Sequence, residues 1–335
     1  MYDVITIGTA TRDVFLRTGE MKHITDPEHL KSAGFVKGEA GCFALGSKVE
    51  VDEFVATVGG GAVNTAVTFA RQGFKTASVV KIGDDVGGRE VINRFRKEKI
   101  HSLASVQSRR PTAYSVILLT PNGDRTILVY RGASKLFSKR DARLSKLDAR
   151  WAYIAPSNIP LGLMRVIISS LKRRGAQVAL NPSRFYIEMG EQKLKPLLNK
   201  CDVVIMNKEE ASYLTGIDYE KEHKLFRELD KVVEGIVVMT KGREGALLSD
   251  GSYLYKAGIY KDSGVVDRTG AGDAFGAGLV AGLMQKNDIA YAMKLASANA
   301  ASVVEAVGAS EGALGRHGLR KDRFRYLDMD IEPLV

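Results

Sequence analysis

The chain has 335 residues, 45% of them hydrophobic and 26% charged, which is typical of a soluble globular protein with one large domain or two smaller ones. Lysine and arginine outnumber aspartate and glutamate by 49 to 39, a net charge of +10. The basic residues are spread along the chain and are not interleaved with aromatic residues, which argues against a nucleic-acid partner and favours a small polyanionic ligand or simply a basic proteome.

The two cysteines and the N-terminal sequence exclude further classes of protein. Cys42 and Cys201 exclude a disulfide framework and lack the spacing of zinc ligands. The N-terminus has neither the basic segment nor the apolar core of a signal peptide, and no segment approaches 18 uninterrupted apolar residues. We therefore expect a cytoplasmic enzyme without a membrane partner.

The first half of the chain predicts a lid beside a buried sheet. Tyr2–Gly8 is a strand, whereas Lys48–Val58 alternates polar and apolar residues, as a strand with one exposed face does. Ala113–Leu119 and Arg125–Tyr130 flank Pro-Asn-Gly-Asp at 121–124, a hairpin signal. We interpret the alternating strand and the hairpin as one small β-rich lid.

Elsewhere strands and helices alternate at the spacing of parallel βαβ units. The predicted helices and strands are 59–73, Thr76–Ile82, Gly87–Lys99, Trp151–Ala155, Leu161–Arg174, Gln177–Leu180, Val203–Met206, Ile236–Thr240, Ala271–Gln285 and Ile289–Val307. The basic tail from Arg316 to Tyr326 is predicted to be a solvated helix, and positions 19–47 have no firm assignment. The sequence thus predicts a single α/β domain over 1–335, with lid segments inserted at about 12–57 and 102–131.

The most informative stretch is Val265–Leu283, where apolar residues lead into Gly270, Ala271, Gly272 and Asp273 and then into a helix of small residues. The glycines allow close backbone approach to a ligand, and the helix N-terminus attracts an anion. A carboxylate at such a place would repel phosphate, but it makes sense as a base that activates an attacking hydroxyl. Asp273 as an ordinary first-turn acid is the simpler alternative.

Other motifs carry a weaker signal when taken alone. Gly59 and Gly60 precede a helix in which Asn64 offers a donor and an acceptor, although a flexible loop explains them equally well. Asn207 and Glu210 follow an apolar strand, at the sheet edge where open α/β folds bind ligands, but they also fit a helix cap.

Together, these motifs resemble the ribokinase-like, or PfkB, carbohydrate kinases, whose signature is close to D-T-x-G-A-G-D; Arg268 departs from it where a small residue such as Thr is usual. The resemblance implies a three-layer α/β/α fold with a central, mostly parallel sheet and a small β-rich lid. It also implies that Asp273 is the catalytic base and that the amides of Ala271, Gly272 and Asp273 form the anion hole.

The resemblance extends to the substrate, nucleotide and metal sites. It implies sugar binding by Asp13, Gly59, Gly60 and Asn64, and ATP binding by Asn207, by the T-x-G-x-x-G loop residues Thr240, Gly242 and Gly245, and by Asn299 beside the adenine. Glu210 would hold Mg²⁺ through water, and Asp267 marks the place where many members bind a monovalent cation such as K⁺. Arg131 could reach an anionic or polyhydroxyl substrate, and a hairpin-end arginine in water explains it equally well. Lid strands often pair between subunits in this family, which makes a homodimer plausible.

We therefore expect an ATP-dependent, Mg²⁺-requiring kinase that phosphorylates a hydroxymethyl group. Ribose or a hexose, a nucleoside and a sugar phosphate all remain open as acceptors. A nucleoside kinase on the same fold is the first alternative, and a non-catalytic sugar- or nucleotide-binding regulator is the second. A nucleic-acid-binding protein that uses the basic tail is a third, less favoured alternative.

Overall fold

The computed structural model describes residues 1–32, 39–119, 125–261 and 264–334. The strands in this part of the chain are β1 (Tyr2–Gly8), β2 (Thr11–Arg17), β3 (Lys22–Thr25), β4 (Glu39–Cys42), β5 (Glu53–Gly59), β6 (Thr76–Val79), β7 (Lys81–Gly83), β8 (His101–Ser102), β9 (Ser105–Gln107), β10 (Ala113–Leu119), β11 (Arg125–Tyr130), β12 (Ala149–Ala155), β13 (Gln177–Leu180), β14 (Val203–Asn207), β15 (Ile236–Thr240), β16 (Ala246–Ser249), β17 (Tyr253–Ala257) and β18 (Met329–Pro333). The α-helices are α1 (Pro27–Ser32), α2 (Gly61–Arg71), α3 (Val86–Lys97), α4 (Leu161–Arg173), α5 (Arg184–Ile187), α6 (Glu191–Leu198), α7 (Lys208–Thr215), α8 (Glu222–Val232), α9 (Ala271–Lys286) and α10 (Ile289–Val303).

The large sheet has the strand order β18-β17-β16-β15-β14-β13-β12-β1-β6-β8. From β8 to β15 neighbouring strands run parallel, and β16, β17 and β18 add an antiparallel edge. The predicted, mostly parallel central sheet is therefore confirmed. Because parallel strands end on the same side, the loops after β1, β12, β14 and β15 converge at one edge.

Successive side chains of a strand point to opposite faces of the sheet, so the core consists of two layers of side chains. Ile5 and Ile154 contribute to a cluster on one face that includes residues of α4, α6 and α8. Val4 and Tyr153 point to the other face and join a cluster that includes residues of α9 and α10. Helices therefore cover both faces of the sheet, which confirms the three-layer α/β/α architecture.

A separate four-stranded sheet, which we call the lid, has the order β11-β10-β2-β5. Its strands β10 and β11 match the predicted hairpin, whose turn at 121–124 lies outside the described residues. Of the predicted strand Lys48–Val58, only the part from Glu53 onwards pairs, in β5. Between β2 and β5 the chain forms the small β3–β4 hairpin and α1, in the stretch that the sequence left unassigned.

Several predicted boundaries need correction. Thr76–Ile82 is not one strand, because the extended strand is interrupted at Val80. The second part, β7, does not belong to the large sheet and pairs with β9. The second predicted lid segment begins too early, since His101–Ser102 belongs to the large sheet. The helix predicted to reach Val307 ends at Val303.

The predicted solvated tail helix is also wrong. The tail forms two 3₁₀ turns, at Gly318–Arg320 and Asp322–Phe324. Phe324 is buried against Tyr260, with ring centroids 5.1 Å apart, and β18 follows at the sheet edge. The end of the chain is therefore packed onto the domain by an aromatic contact and a strand pairing.

Within the described ranges, the structure contains no helix that is long and apolar enough to cross a bilayer.

Candidate active site

The turn before α9 is built by Gly270, which adopts a left-handed conformation with φ of 81°. A Cβ at this position would overlap the Ala309 carbonyl, so only glycine fits without distortion. Ala271 N donates to Arg268 O at 3.4 Å, so the Ala271 amide is already partnered. The next two amides, of Gly272 and Asp273, have no acceptor in the described part of the chain and lie at the positive end of the helix.

Asp273 lies in the first turn of α9 and is paired with a residue far away in sequence. Asn64 Nδ2, in α2, donates to Asp273 Oδ2 at 2.8 Å. Burial raises the pKa of Asp273, and the nearby Asp13 raises it further, whereas the Asn64 hydrogen bond opposes the rise. A carboxylate with a raised pKa is a better proton acceptor than an ordinary aspartate.

Asp13 lies on the lid strand β2 and is buried. Its Oδ1 has no hydrogen-bond partner among the described residues, and the same holds for Asn64 Oδ1. Burial raises the pKa of Asp13, although the hydroxyls of Thr11 and Ser115 counteract this. Two buried acceptors without donors indicate that a ligand with hydroxyl groups belongs here.

The two glycines of the diglycine motif make room for this arrangement. A Cβ on Gly59 would overlap Asp13 Oδ2, and Gly60 has φ of 94° and lies against the Thr9 carbonyl. Arg131, by contrast, is exposed and donates to Ser157 Oγ at 2.7 Å. The structure therefore groups Asp13, Gly59 and Gly60 tightly, while the Arg131 guanidinium is held at the end of the lid.

A cavity of about 410 Å³ lies beside the amide turn. Six residues predicted for ATP or for the anion hole line it, namely Asn207, Thr240, Gly242, Gly245, Ala271 and Gly272. Asn207 and Thr240 are direct neighbours in the β14–β15 register, which explains how two distant motifs meet. The described walls also include apolar residues to which the sequence assigned no binding role, namely Ile259, Tyr260, Val265, Phe275, Ala300 and Val304.

Asn299, predicted to contact adenine, is not among the described residues that line the cavity. Its side chain is fully buried, and Asn299 Nδ2 donates to Ala274 O at 2.8 Å and Thr68 Oγ1 at 3.2 Å. Asn299 Oδ1 accepts from Leu314 N at 2.8 Å. The residue therefore ties α10 to its surroundings, and α10 presents Ala300 and other small residues to the cavity instead.

Glu210 and Asn207 form a reciprocal cap at the start of α7. Asn207 Oδ1 accepts from Glu210 N at 2.8 Å, and Glu210 Oε2 accepts from Asn207 N at 2.9 Å. Burial raises the pKa of Glu210 to about 7, with Glu209 and Asp273 adding to the rise. The described residues include no cluster of three metal-ligating side chains, so a Mg²⁺ ion would fit here only with water and phosphate as most of its ligands.

Asp267 is buried just before the amide turn. Its carboxylate accepts from Thr269 N at 2.9 Å and from Gly308 N at 3.3 Å. Both donors are neutral, and the described chain shows no cationic partner for this charge. A buried carboxylate with only amide partners fits a monovalent cation.

Tyr153 is a neighbour of the site that the sequence did not indicate. It is fully buried on β12, and its hydroxyl has no hydrogen-bond partner in the described chain. A Cβ on Gly276 would overlap this hydroxyl, so the glycine in α9 makes room for it. Burial raises the pKa of Tyr153 well above its usual value, and Asp273 and Glu210 add to the effect.

Comparison with known proteins matches residues 34–314 to the pfkB family carbohydrate kinases. The chain is 29% identical over 265 residues to a ribokinase of Haemophilus influenzae, covering 75% of this chain and 82% of that protein. It is 28% identical over 264 residues to a cytidine kinase of Thermococcus kodakarensis, covering 75% of this chain and 88% of the relative.

The fold agrees with this match. The structure of Arabidopsis thaliana ribokinase complexed with ribose and ATP has a TM-score of 0.79 at 21% identity, covering 97% of this chain and 99% of that one. Because the family match spans most of the sequence, the chain belongs to the pfkB family of carbohydrate kinases, which are phosphotransferases with an alcohol group as acceptor.

Proposed function

We propose that this kinase transfers the γ-phosphoryl group of ATP to a hydroxymethyl group of a neutral sugar, with Asp273 as the base. The observation that carries the proposal is the grouping of the Asp273 carboxylate with two unpartnered buried acceptors, Asp13 Oδ1 and Asn64 Oδ1. A polyhydroxylated acceptor would donate to both and so direct one hydroxyl at Asp273.

Each residue of the site has a separate role in the proposed phosphoryl transfer. Asp273 takes the proton of the attacking hydroxyl, and Asn64 Nδ2 holds the carboxylate in place. The amides of Gly272 and Asp273 stabilise the charge on the transferred group. The lid carries Asp13 to the sugar and excludes water, which limits hydrolysis of ATP.

The charges of the site favour a neutral acceptor over a sugar phosphate. Asp13 is close enough to Asp273 to raise its pKa, and two carboxylates at the acceptor site would repel a second phosphate. Arg131, the basic residue considered for an anionic substrate, is engaged with Ser157.

We also propose that Glu210 orders Mg²⁺ through water and that Asp267 holds a monovalent cation such as K⁺. Bound Mg²⁺ would neutralise phosphate charge during the transfer. Glu210 has one carboxylate oxygen, Oε1, that does not take part in the cap and is available to a metal-bound water.

A nucleoside is the second candidate acceptor, because a relative with 28% identity is named a cytidine kinase and a nucleoside also offers a hydroxymethyl group. A non-catalytic regulator is less well supported, since a binding protein has no use for a base at Asp273.

The proposed single domain over 1–335 would pair with a second copy through the lid. The lid strand β11 has four consecutive exposed hydrophobic residues, with 41 to 56% of their surface accessible, namely Ile127, Leu128, Val129 and Tyr130. A homodimer through this apolar edge strand would bury them. Sedimentation of the wild type beside Leu128→Lys tests the proposal, and a wild-type monomer would contradict it.

The acceptor is identified by coupling ATP consumption to product detection with ribose, fructose, 2-keto-3-deoxygluconate, adenosine, cytidine, inosine and fructose 6-phosphate. We expect turnover with one neutral acceptor and a loss of at least roughly a hundredfold in Asp273→Asn. Turnover that survives in Asp273→Asn would eliminate Asp273 as the base, and a response to fructose 6-phosphate alone would contradict the neutral acceptor.

A further inference from the structure

The cavity beside the amide turn is more cationic than its backbone amides alone would make it. The described residues that line it include three arginines, Arg125, Arg243 and Arg268, and no aspartate or glutamate. Cationic side chains among apolar walls suit a ligand with an anionic end and an apolar end. Arg268 is the arginine nearest to the turn in sequence, two residues before Gly270.

The backbone at Arg268 is held by the hydrogen bonds that build the turn. Arg268 O accepts from Ala271 N, and the preceding amides of Val266 and Asp267 both donate to Val304 O, at 2.8 and 3.1 Å. Asp267 in turn accepts from Thr269 N at 2.9 Å. Arg268 is therefore fixed relative to the turn that presents the free amides.

The polar groups of this segment lack partners. Within the described chain, the Arg268 guanidinium makes no ion pair and no hydrogen bond, and the adjacent Thr269 Oγ1 is buried without a partner. A partly buried guanidinium is stabilised when a ligand supplies the anion.

We propose that Arg268 binds the terminal phosphates of the nucleotide, beside the Gly272 and Asp273 amides. The inference rests on the proposed kinase function and adds a side chain at a position where the family signature has a small residue. A guanidinium donates two parallel hydrogen bonds to phosphate oxygens and keeps its charge at any physiological pH.

Calorimetric titration of the full chain with ATP, ADP and AMP, in the absence of an acceptor, tests this role. In Arg268→Thr we expect the Kd of ATP to rise roughly 10- to 100-fold, as for loss of a hydrogen bond to a charged group, with the Kd of AMP nearly unchanged. Arg268→Lys should lie in between. Arg165→Thr, on the exposed surface of α4, makes the same change in net charge and should leave all three values unchanged.

Equal losses for ATP and AMP, or no loss, in a folded Arg268 variant would overturn the assignment. Thermal unfolding checks the fold, and Arg268→Gln replaces Arg268→Thr if the threonine variant is unstable. A wild-type chain that binds neither ATP nor ADP would overturn the proposed function, and the role of Arg268 with it.

Discussion

The hydrogen bond from Asn64 to Asp273 influences how readily Asp273, the proposed base, holds a proton. Asn64 Nδ2 stabilises the carboxylate and so lowers its pKa against the effect of burial. The proposed base would act as a carboxylate, so we expect activity to be lost as the pH falls through its pKa. In Asn64→Ala we expect the acid limb of the kcat/KM profile to move to higher pH.

Asp13→Asn should shift the acid limb of the kcat/KM profile in the opposite direction, because the Asp13 charge raises the pKa of Asp273. Its acid limb should move to lower pH, although we expect kcat/KM to fall at every pH because the proposed sugar contact is lost. Profiles that move in the same direction in Asn64→Ala and Asp13→Asn would contradict the assignment of the limb to Asp273.

Position 59 requires a glycine because of where the Asp13 side chain lies, and not because of the backbone conformation of Gly59. A Cβ there would overlap Asp13 Oδ2. Because small displacements of a positioning group are costly, we expect Gly59→Ala to lower kcat/KM for the acceptor by roughly a hundredfold, with ATP binding retained. Gly162→Ala, in α4, is the matched control, since nothing lies within 4 Å of the added methyl group.

At the scale of elements, a buried ion pair joins β7 to the chain that returns from the lid. Lys81 Nζ donates to Asp141 Oδ2 at 2.7 Å and to Leu136 O at 2.9 Å. Lys81→Met would leave the buried Asp141 with its Ser138 hydrogen bonds but without its cationic partner, at a cost of about 3–5 kcal/mol in the free energy of unfolding. Urea denaturation measures the loss.

Two further variants test the origin of that loss. Lys81→Met with Asp141→Leu removes both charges and should recover most of the stability. Lys172→Met breaks a half-exposed pair with Asp202 and should cost less than about 1 kcal/mol. A large loss in Lys172→Met, or no recovery in the double variant, would contradict the role given to burial.

The elements also show where sequence patterns are informative. Buried parallel strands such as β14 are apolar runs, which predicted them well. Helix α10 is rich in small residues on every side, so the sequence did not reveal that Asn299 faces inward and Ala300 faces the cavity. The walls at Ile259 and Tyr260 lie outside regular elements and left no periodic signal.

At the scale of the whole molecule, β18 closes one edge of the large sheet. It pairs with β17 from Tyr253 to Ala257, and no residue of the candidate site lies on it. Deleting residues 328–335 would expose the edge of β17, so we expect faster aggregation on light scattering. Activity per folded molecule should be retained, and a loss of activity without aggregation would contradict this prediction.

The tail shows why the sequence did not predict this edge strand. Its many charges indicated a solvated helix, while the packing of Phe324 on Tyr260 depends on a contact between distant parts of the chain. The motifs themselves were easier to predict, because glycines and carboxylates are required locally for turns and chemistry.

The pairing of Asn64 with Asp273 spans 209 positions, which has a consequence for biosynthesis. Asn64 leaves the ribosome first, and Asp273, the proposed base, follows roughly 10–40 s later at typical rates of elongation. The turn before the proposed base also packs against Ala309, which is made later still. A nascent chain therefore cannot transfer a phosphoryl group until almost all of its residues have been made.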